Sequence, residues 1–414
     1  MRSALKYTGR FVLLIVGFVL FGLVSFLVPD KAVREHIAAS APQLVAETNY
    51  PRAIMDLKQC EMDNFTDALI MSQVYNMDRQ RPLWSVMSMV RTADFDPDQP
   101  GALLKTVQGV PQEPRPYPRY WHGSTFLYRW MLAFMEINSI RFTLFLLSSL
   151  LLLACCGLLL RHLGWLRTLF FAFAFVMVYG YVMQFSMQFF PVLAIALVGV
   201  MLTVHGTAKG KDLRWLFFLL GAITCYFDLL TVPLLTLGLP LAVWLAMKED
   251  APVSLWEGLK QLVMLSLLWG LGFALSFGAK WGLATLLTGE DVFTDAYGAS
   301  MYRMEADDFT RWDAVSFNYE MINTSLVWVV AGVVLLYAVI QSIRKPGVAK
   351  VWLKRPLFLL IVLMPYVWYL LLANHSYLHW WFTYRLQAVA ILGLLLAIAP
   401  ASSAPRWSRH SDIP

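Results

Sequence analysis

The chain has 414 residues, of which 58% are hydrophobic, and its mean hydropathy is +0.58. Repeated apolar runs of about 20 residues, each long enough to cross a hydrocarbon core as a helix, exclude an ordinary soluble domain. We attribute the formal net charge of +6 to membrane topology, because Lys and Arg are enriched in short cytoplasmic loops. We therefore expect no nucleic-acid partner.

The apolar runs predict an all-α polytopic membrane protein with about ten transmembrane helices, forming one transmembrane domain over residues 1–414. The first run follows basic residues, as in a signal peptide. Its nearest small-residue cleavage site lies too far beyond the run, so we expect a retained helix. The predicted spans are 11–28, 140–160, 166–183, 189–206, 213–228, 231–247, 261–287, 325–343, 356–373 and 382–400.

The basic residues of the short connections indicate the orientation. With the N-terminus inside, the inner side carries 17 basic and 5 acidic residues, and the outer side carries 16 basic and 22 acidic residues. This distribution follows the enrichment of Lys and Arg in short cytoplasmic loops. We therefore expect both chain termini in the cytoplasm and the polar clusters outside.

The predicted outer side has a long loop over 29–139, a second loop over 288–324 and a short segment over 374–385. Within the long loop, the aromatic stretch 125–136 is too short to span the membrane, which predicts a helix lying in the interface. A weaker helical pattern over 64–76 predicts a second such helix.

The remainder of the long loop is rich in proline. Residues 92–119 contain six prolines, which predict an irregular segment.

Asp63 and Asp67 are the first candidates for chemistry. The spacing of four residues puts both carboxylates on one face of a helix beginning near Asn64. Like charges so close raise at least one pKa, which favours a general base. The alternative is that Asp63 only caps the helix while Asp67 is solvated.

A second cluster precedes the predicted interfacial helix and contains Arg119, Tyr120, Trp121 and His122. Tyr and Trp at this level usually anchor a protein at the membrane interface. A cation beside aromatic faces can also hold a phosphate or a sugar. Both interpretations fit the sequence.

Two ionisable residues lie near the ends of predicted spans. Asp228 stands where two spans meet with almost no loop, and a carboxylate at that depth is unfavourable unless it is paired or hydrated. Lys280 lies inside an apolar stretch, where it either extends its ammonium towards the interface or serves the substrate.

The short outer segment contains Asn374, His375, His379 and Arg385. Histidines four residues apart can face one ligand, and a zinc pair has this spacing. Because the sequence offers no obvious third zinc ligand, phosphate or hydroxyl binding is the better hypothesis. No cofactor is certain; the spare outer carboxylates could hold Mg²⁺ or Mn²⁺, although their spacing requires neither.

Three functional classes remain. A transporter or flippase of a lipid-linked or anionic substrate predicts repeat symmetry and ionisable groups near the bilayer midplane. A scaffold does not need polar clusters returning to one interface from several segments. An enzyme acting on a lipid-linked substrate at the outer interface fits better, because the head group meets these clusters while the tail stays in lipid.

The layout resembles that of membrane glycosyltransferases of the GT-C fold class. In these enzymes a first span precedes a long outer loop with an early acidic motif and interfacial helices, as residues 62–67 and 125–136 do here. The resemblance implies transfer of a sugar from a polyprenyl-phosphate donor to a glycan, glycolipid or protein acceptor. It also implies a bacterial inner (cytoplasmic) membrane location with a periplasmic or extracellular active face.

The chemistry of such a transfer assigns roles to the candidates. The acceptor hydroxyl loses a proton, for which Asp63 is the first candidate base and Asp67 the second. The departing lipid phosphate gains charge, which cations stabilise. One base and a phosphate leaving group imply inversion of the anomeric centre. The donor-phosphate candidates are Arg385, His375, His379, Lys280, Arg119 and His122, and the substrate-binding candidates are Tyr120, Trp121, Asp228 and Asn374.

Overall fold

The structure, a computed structural model, describes residues 2–53, 57–92, 97–248, 254–324 and 355–399, with scattered positions between 328 and 340. Helix makes up 78% of it, and no β-strand occurs among the described residues. The predicted all-helical class is confirmed.

The helices follow one another along the chain with short connections. The first seven are α1 (Arg2–Val24), α2 (Asp30–Glu47), α3 (Asn64–Tyr75), α4 (Pro82–Ser88), α5 (Gln99–Val107), α6 (Gly123–Leu132) and α7 (Ile137–Leu163). Next come α8 (Trp165–Met177), α9 (Phe190–Ala208), α10 (Arg214–Phe227), α11 (Leu235–Met247), α12 (Leu255–Thr288), α13 (Val292–Met304) and α14 (Arg311–Glu320). The last described helices are α15 (Pro356–Leu371), α16 (Ala373–Leu378), α17 (Trp380–Thr383) and α18 (Gln387–Ile398).

Several of these helices are apolar and long enough to cross a membrane. Among the described residues, five helices meet this criterion by length and composition: Lys6–Leu27, Ile137–Leu163, Phe190–Ala208, Leu255–Thr288 and Trp380–Ile398. Shorter apolar helices occupy Trp165–Met177, Arg214–Phe227, Leu235–Met247 and Pro356–Leu371. The predicted span 325–343 lies mostly outside the described residues. The fold is therefore compatible with a polytopic membrane protein.

The prediction of an irregular segment over 92–119 is wrong in part, because α5 lies within it. Pro100 occupies the first turn of this helix, where a missing N–H leaves no hydrogen bond unmade. The carboxylate of Asp98 accepts a hydrogen bond from Gly101 N at 3.0 Å and caps the helix. Pro100 therefore lies in the first turn of a helix and not in an irregular loop.

Helices α10 and α12 pack against each other through small residues at their contact. A Cβ on Gly221 would clash with the carbonyl of Trp269, and a Cβ on Gly272 would clash with the carbonyl of Phe218. Glycines at such positions let two backbones approach closely, as is common between apolar helices. This contact holds the long helix α12 in place along its middle.

Basic residues from several helix ends lie at one end of the bundle. Tyr7 and Arg214 line one groove, so the starts of α1 and α10 lie together. Arg167 donates a hydrogen bond to Ala246 O at 3.1 Å, and Lys248 and Leu357 line one small cavity. We call this end, which carries Arg10, Arg167, Arg214, Lys248 and Arg355, the basic end. The Arg303 cavity and the Lys280 side chain described below lie beside the C-terminal half of α12.

The segment between the first two long helices packs as a small helical layer. Side chains of α2, α3, α5 and α6 form one apolar cluster with the start of α7. The helix predicted over 125–136 lies at Gly123–Leu132, and its Phe126, Tyr128 and Leu132 side chains are fully buried. This layer covers one end of the bundle and positions the polar clusters.

Candidate functional site

A cavity of about 480 Å³ lies beside the C-terminal half of α12. Its walls include Phe273, Phe277 and Trp281 of α12 and Trp368 and Leu371 of α15. Ligand sites commonly have volumes of about 300–1,000 Å³ and combine apolar walls with a few polar groups. The charged and hydroxyl-bearing side chains that line this cavity are Arg119, Tyr120, Ser300 and Arg303.

Arg303, on the last turn of α13, carries the cavity's unpaired positive charge. It is half-buried, and its guanidinium donates hydrogen bonds to Ala299 O at 2.6 Å and to Tyr120 Oη at 2.8 Å. Within the described ranges, no carboxylate oxygen lies within ion-pair distance of it. A guanidinium has further N–H donors beyond these two, so Arg303 can still bind an anion.

His375 and His379 face each other near Arg303, with ring centroids 4.9 Å apart. Burial and the charge of Arg303 lower the pKa of His379 to about 4. Burial, His379 and Arg303 also lower the pKa of His375 well below its usual value. Both rings are therefore neutral at pH 7, so Arg303 is the charged member of this group. The two histidines lie near Arg303 and do not themselves line the cavity.

The segment from 374 to 379 is tied to its neighbours by hydrogen bonds. His375 Nε2 lies 2.9 Å from Leu230 O, which fixes the proton on that nitrogen, and Asn374 Nδ2 donates to Tyr302 O at 2.9 Å. The ring of His379 makes no hydrogen bond with the described residues and is half-buried. His379 therefore remains free to contact a ligand.

Asp228 joins the same region through the turn that follows α10. Its two carboxylate oxygens accept hydrogen bonds from Thr231 N at 3.1 and 3.0 Å, and the side chain is 2% exposed. Burial raises the pKa of Tyr120 to about 12, and the nearby charge of Asp228 contributes to this shift. The structure therefore brings Tyr120, Asp228 and the two histidines together around Arg303.

Arg119 also lines the cavity, but its charge is already balanced. Its Nη1 donates to both carboxylate oxygens of Asp295, at 2.8 and 3.0 Å. The guanidinium also lies 4.8 Å from the centroid of the Tyr117 ring. Of the two arginines at the cavity, Arg303 is thus the one with an uncompensated charge.

Trp121, His122 and Lys280 form a buried cluster whose polar groups are paired within the protein; we call it the closed cluster. Lys280 Nζ donates to Met87 O at 2.9 Å and to Val86 O at 3.2 Å, and it lies 5.6 Å from the Trp121 ring centroid. Trp121 Nε1 donates to Ser276 O at 2.8 Å. The ammonium of Lys280 therefore joins α12 to α4.

His122 is fully engaged in the closed cluster. Its Nε2 lies 2.9 Å from Tyr117 O, and its Nδ1 lies 3.2 Å from Gln73 Nε2. Because a carbonyl accepts and an amide N–H donates, this arrangement requires the neutral tautomer protonated on Nε2. Burial and the charge of Lys280 lower the pKa of His122 to about 3, which agrees with a neutral ring.

Asp63 caps α3 and also lies close to Arg385. One oxygen of Asp63 accepts a hydrogen bond from Thr66 N at 2.9 Å, and the side chain is 2% exposed. Burial raises the pKa of Asp63 to about 6, while Thr66 and the charge of Arg385 oppose the shift. At pH 7 this carboxylate is mostly ionised and can accept a proton.

Asp67, one turn further, lies in a more enclosed environment. Burial raises its pKa to about 8; the charge of Arg141 opposes this shift and that of Asp63 increases it. Its Oδ2 has no hydrogen-bond partner of normal geometry. Arg141 itself donates to Glu47 Oε2 at 2.8 Å and to Asn64 Oδ1 at 2.7 Å. Asp67 is thus mostly protonated at pH 7.

Arg385 is fully buried beside this carboxylate pair. It donates to Gln59 O at 3.2 Å and to Trp381 O at 3.3 Å, and its guanidinium lies 5.0 Å from the Phe189 ring centroid. The described residues place no carboxylate within ion-pair distance of it. Because Arg385 lies beside Asp63, its positive charge lowers the pKa of that carboxyl and favours the ionised form.

An aromatic layer connects the carboxylate pair with the Arg303 end of the cavity. The ring of Phe382 stacks on His379 at 5.1 Å and lies 4.8 Å from Trp381 and 6.0 Å from Phe189. The predicted site residues outside the closed cluster therefore form two neighbouring groups. One group is Asp63, Asp67 and Arg385. The other, near Arg303, is Arg119, Tyr120, Asp228, Asn374, His375 and His379. Their assigned roles stay predictions.

The described residues contain no group of three or more His, Cys, Asp or Glu side chains that could hold a metal ion. The chain matches no protein-family model, no curated protein and no solved structure.

Proposed function

We propose that the chain is a membrane glycosyltransferase that moves a sugar from a polyprenyl-phosphate donor to an acceptor hydroxyl. The observation that carries the proposal is the unpaired Arg303 at the polar side of an otherwise apolar cavity. A lipid phosphate needs a cation for its head group and apolar surface for its tail, and this cavity offers both. The neutral His379 supplies a further hydrogen-bonding nitrogen.

The proposal includes a GT-C-like fold with ten spans, of which 325–343 is the eighth. The apolar helices coincide with the other nine predicted spans, and basic residues cluster at one end of the bundle. With that end in the cytoplasm of a bacterial inner membrane, the cavity faces the periplasm or exterior. The acceptor is a glycan, glycolipid or protein.

In the proposed reaction, the acceptor oxygen bonds to the anomeric carbon as the bond to the lipid phosphate breaks. Asp63 takes the acceptor's proton, because its carboxylate is mostly ionised at pH 7 whereas Asp67 is mostly protonated. Arg303 balances the negative charge that grows on the departing phosphate. The single displacement inverts the anomeric centre.

The experiment is transfer of labelled sugar from short-chain polyprenyl-phosphate donors by the purified protein in nanodiscs, with Arg303→Gln beside the wild type. Loss of hydrogen bonds to a charged phosphate should raise the donor KM about 30-fold. Arg311→Gln is the matched control, because Arg311 lies on α14, donates to Leu370 O at 2.6 Å and does not line the cavity.

The outcomes separate the functional classes. Transfer that is equally fast in Arg303→Gln would show that the donor does not bind in this cavity. Movement of intact labelled donor across the bilayer, without release of sugar, would instead support a transporter or flippase. The cavity beside α12 is compatible with either path for the lipid tail, so sugar release is the decisive measurement.

A further inference from the structure

Two apolar grooves meet on α12 near the basic end of the bundle. The first, of about 540 Å³, lies between α1, α10 and α12 and is walled by Phe11, Phe218 and Leu271. The second, of about 470 Å³, runs along α12 past Val263. Both grooves are lined by Leu268 and Leu271, so they adjoin along this part of the helix.

A polar pocket of about 330 Å³ adjoins both grooves. It shares Arg214 with the first groove and Met264 with the second. Lys211 and Lys248 line it. The charge of Arg214 is balanced by Asp212, whose Oδ2 lies 2.6 Å from Arg214 Nη2. Glu257 also lines the pocket, and its Oε1 accepts a hydrogen bond from Gln261 Nε2 at 3.1 Å. The two lysines form no ion pair with the described residues, so with Arg214 the pocket's three cations exceed its two carboxylates by one.

A further cation stands at the rim of the first groove. The Arg10 guanidinium lies 5.6 Å from the Tyr7 ring centroid and 5.4 Å from the Trp215 ring centroid, and both aromatic residues line the groove. Arg10 forms no ion pair with any residue that the structure describes. Its charge is therefore available to an anion seated at the end of the groove.

We infer that this composite site binds one anionic diacyl phospholipid. Two adjoining apolar grooves suit two acyl chains, and the neighbouring lysines with Arg10 suit a phosphate-containing head group. Charge complementarity favours an anionic lipid over a zwitterionic one. The site shares no lining residue with the Arg303 cavity, and its polar pocket lies beside the first turns of α12 at Glu257 and Gln261, so the inference does not rest on glycosyl transfer.

The test is native mass spectrometry of the purified full chain after exchange into equal amounts of phosphatidylglycerol and phosphatidylcholine with matched acyl chains. The wild type should retain one phosphatidylglycerol in preference to phosphatidylcholine. Arg10→Gln combined with Lys211→Gln should lower that preference about fivefold. Leu271→Trp, which fills the junction of the grooves, should lower retention of both lipids.

Matched controls separate the site from general lipid adhesion. Lys209→Gln removes a charge at the same end without altering the three cavities, and Leu150→Trp enlarges a leucine that is 63% exposed elsewhere. Both controls should retain lipid like the wild type. Leu271 is 48% exposed, so its replacement should leave the fold intact. Equal retention of the two lipids, or equal losses in test and control variants, would overturn the inference.

Discussion

The closed cluster and the Arg303 end of the cavity contain the same kinds of side chain in opposite states. In the closed cluster, Lys280 is fully buried and donates to two carbonyl oxygens, and both ring nitrogens of His122 have partners. At the cavity, Arg303 has donors to spare, and the ring of His379 makes no hydrogen bond with the described residues. Both regions pair a cation with a histidine beside aromatic rings.

The difference is one of hydrogen-bond capacity. A buried polar group that is fully paired stabilises one arrangement of its neighbours, and removing it leaves its partners unsatisfied. A half-buried group with unused donors adds little to the fold and can bind a ligand. We therefore expect the closed cluster to contribute to stability and the Arg303 end to bind the proposed donor.

The largest expected effect is at Asp63, which caps α3 and is also the proposed catalytic base. Asparagine is as good a helix cap as aspartate, so Asp63→Asn keeps the cap on α3 and removes the base. Turnover should fall about 10²- to 10⁴-fold with unchanged expression. The matched control is Asp98→Asn, the same change at the cap of α5. Near-normal turnover in Asp63→Asn would leave capping as its role.

His122→Ala tests the closed cluster directly. The change leaves the half-buried Tyr117 carbonyl and the buried Gln73 amide without their partner, which should lower the free energy of unfolding by about 3 kcal/mol. The donor KM should stay within about twofold of the wild-type value, because the paired ring has no capacity left for a ligand. Thermal unfolding and donor titration measure the two quantities.

Arg303→Gln should give the reverse pattern, with a raised donor KM and an unchanged unfolding transition. Variants that both lose donor affinity, or that both lose stability, would contradict the division between the two regions. The crossed design therefore tests the comparison without relying on either variant alone.

The sequence predicts the apolar helices well, because a run of apolar residues indicates its own environment. It does not predict whether a polar residue is paired. His122 and His379 look alike in sequence, and only long-range contacts with Gln73 and Arg303 distinguish them. The sequence pattern also fails to predict α5, because a proline such as Pro100 occurs at the start of a helix as readily as in a loop.

Arg303 shows what sequence analysis missed and how it could be found. Within an acidic outer segment it resembles a solvated loop charge. Yet Ala296, Ala299, Ser300 and Arg303 follow one another at helical spacing and form a face of small residues that ends in a cation. That face lines the cavity. Asp228 and the 374–379 segment reach it from distant parts of the chain, which local pattern does not reveal.

The smallest expected effect is the pH dependence of transfer, and it distinguishes the two carboxylates. The pKa of Asp63 is raised to about 6 and that of Asp67 to about 8. A base works only when deprotonated, so with Asp63 as the base kcat/KM should fall about tenfold between pH 7 and pH 5 and change little above pH 7. With Asp67 as the base, the rate would instead keep rising to pH 8. Asp67→Asn should therefore retain the acid limb of the profile, because that limb belongs to Asp63 beside Arg385 and not to Asp67 beside Arg141.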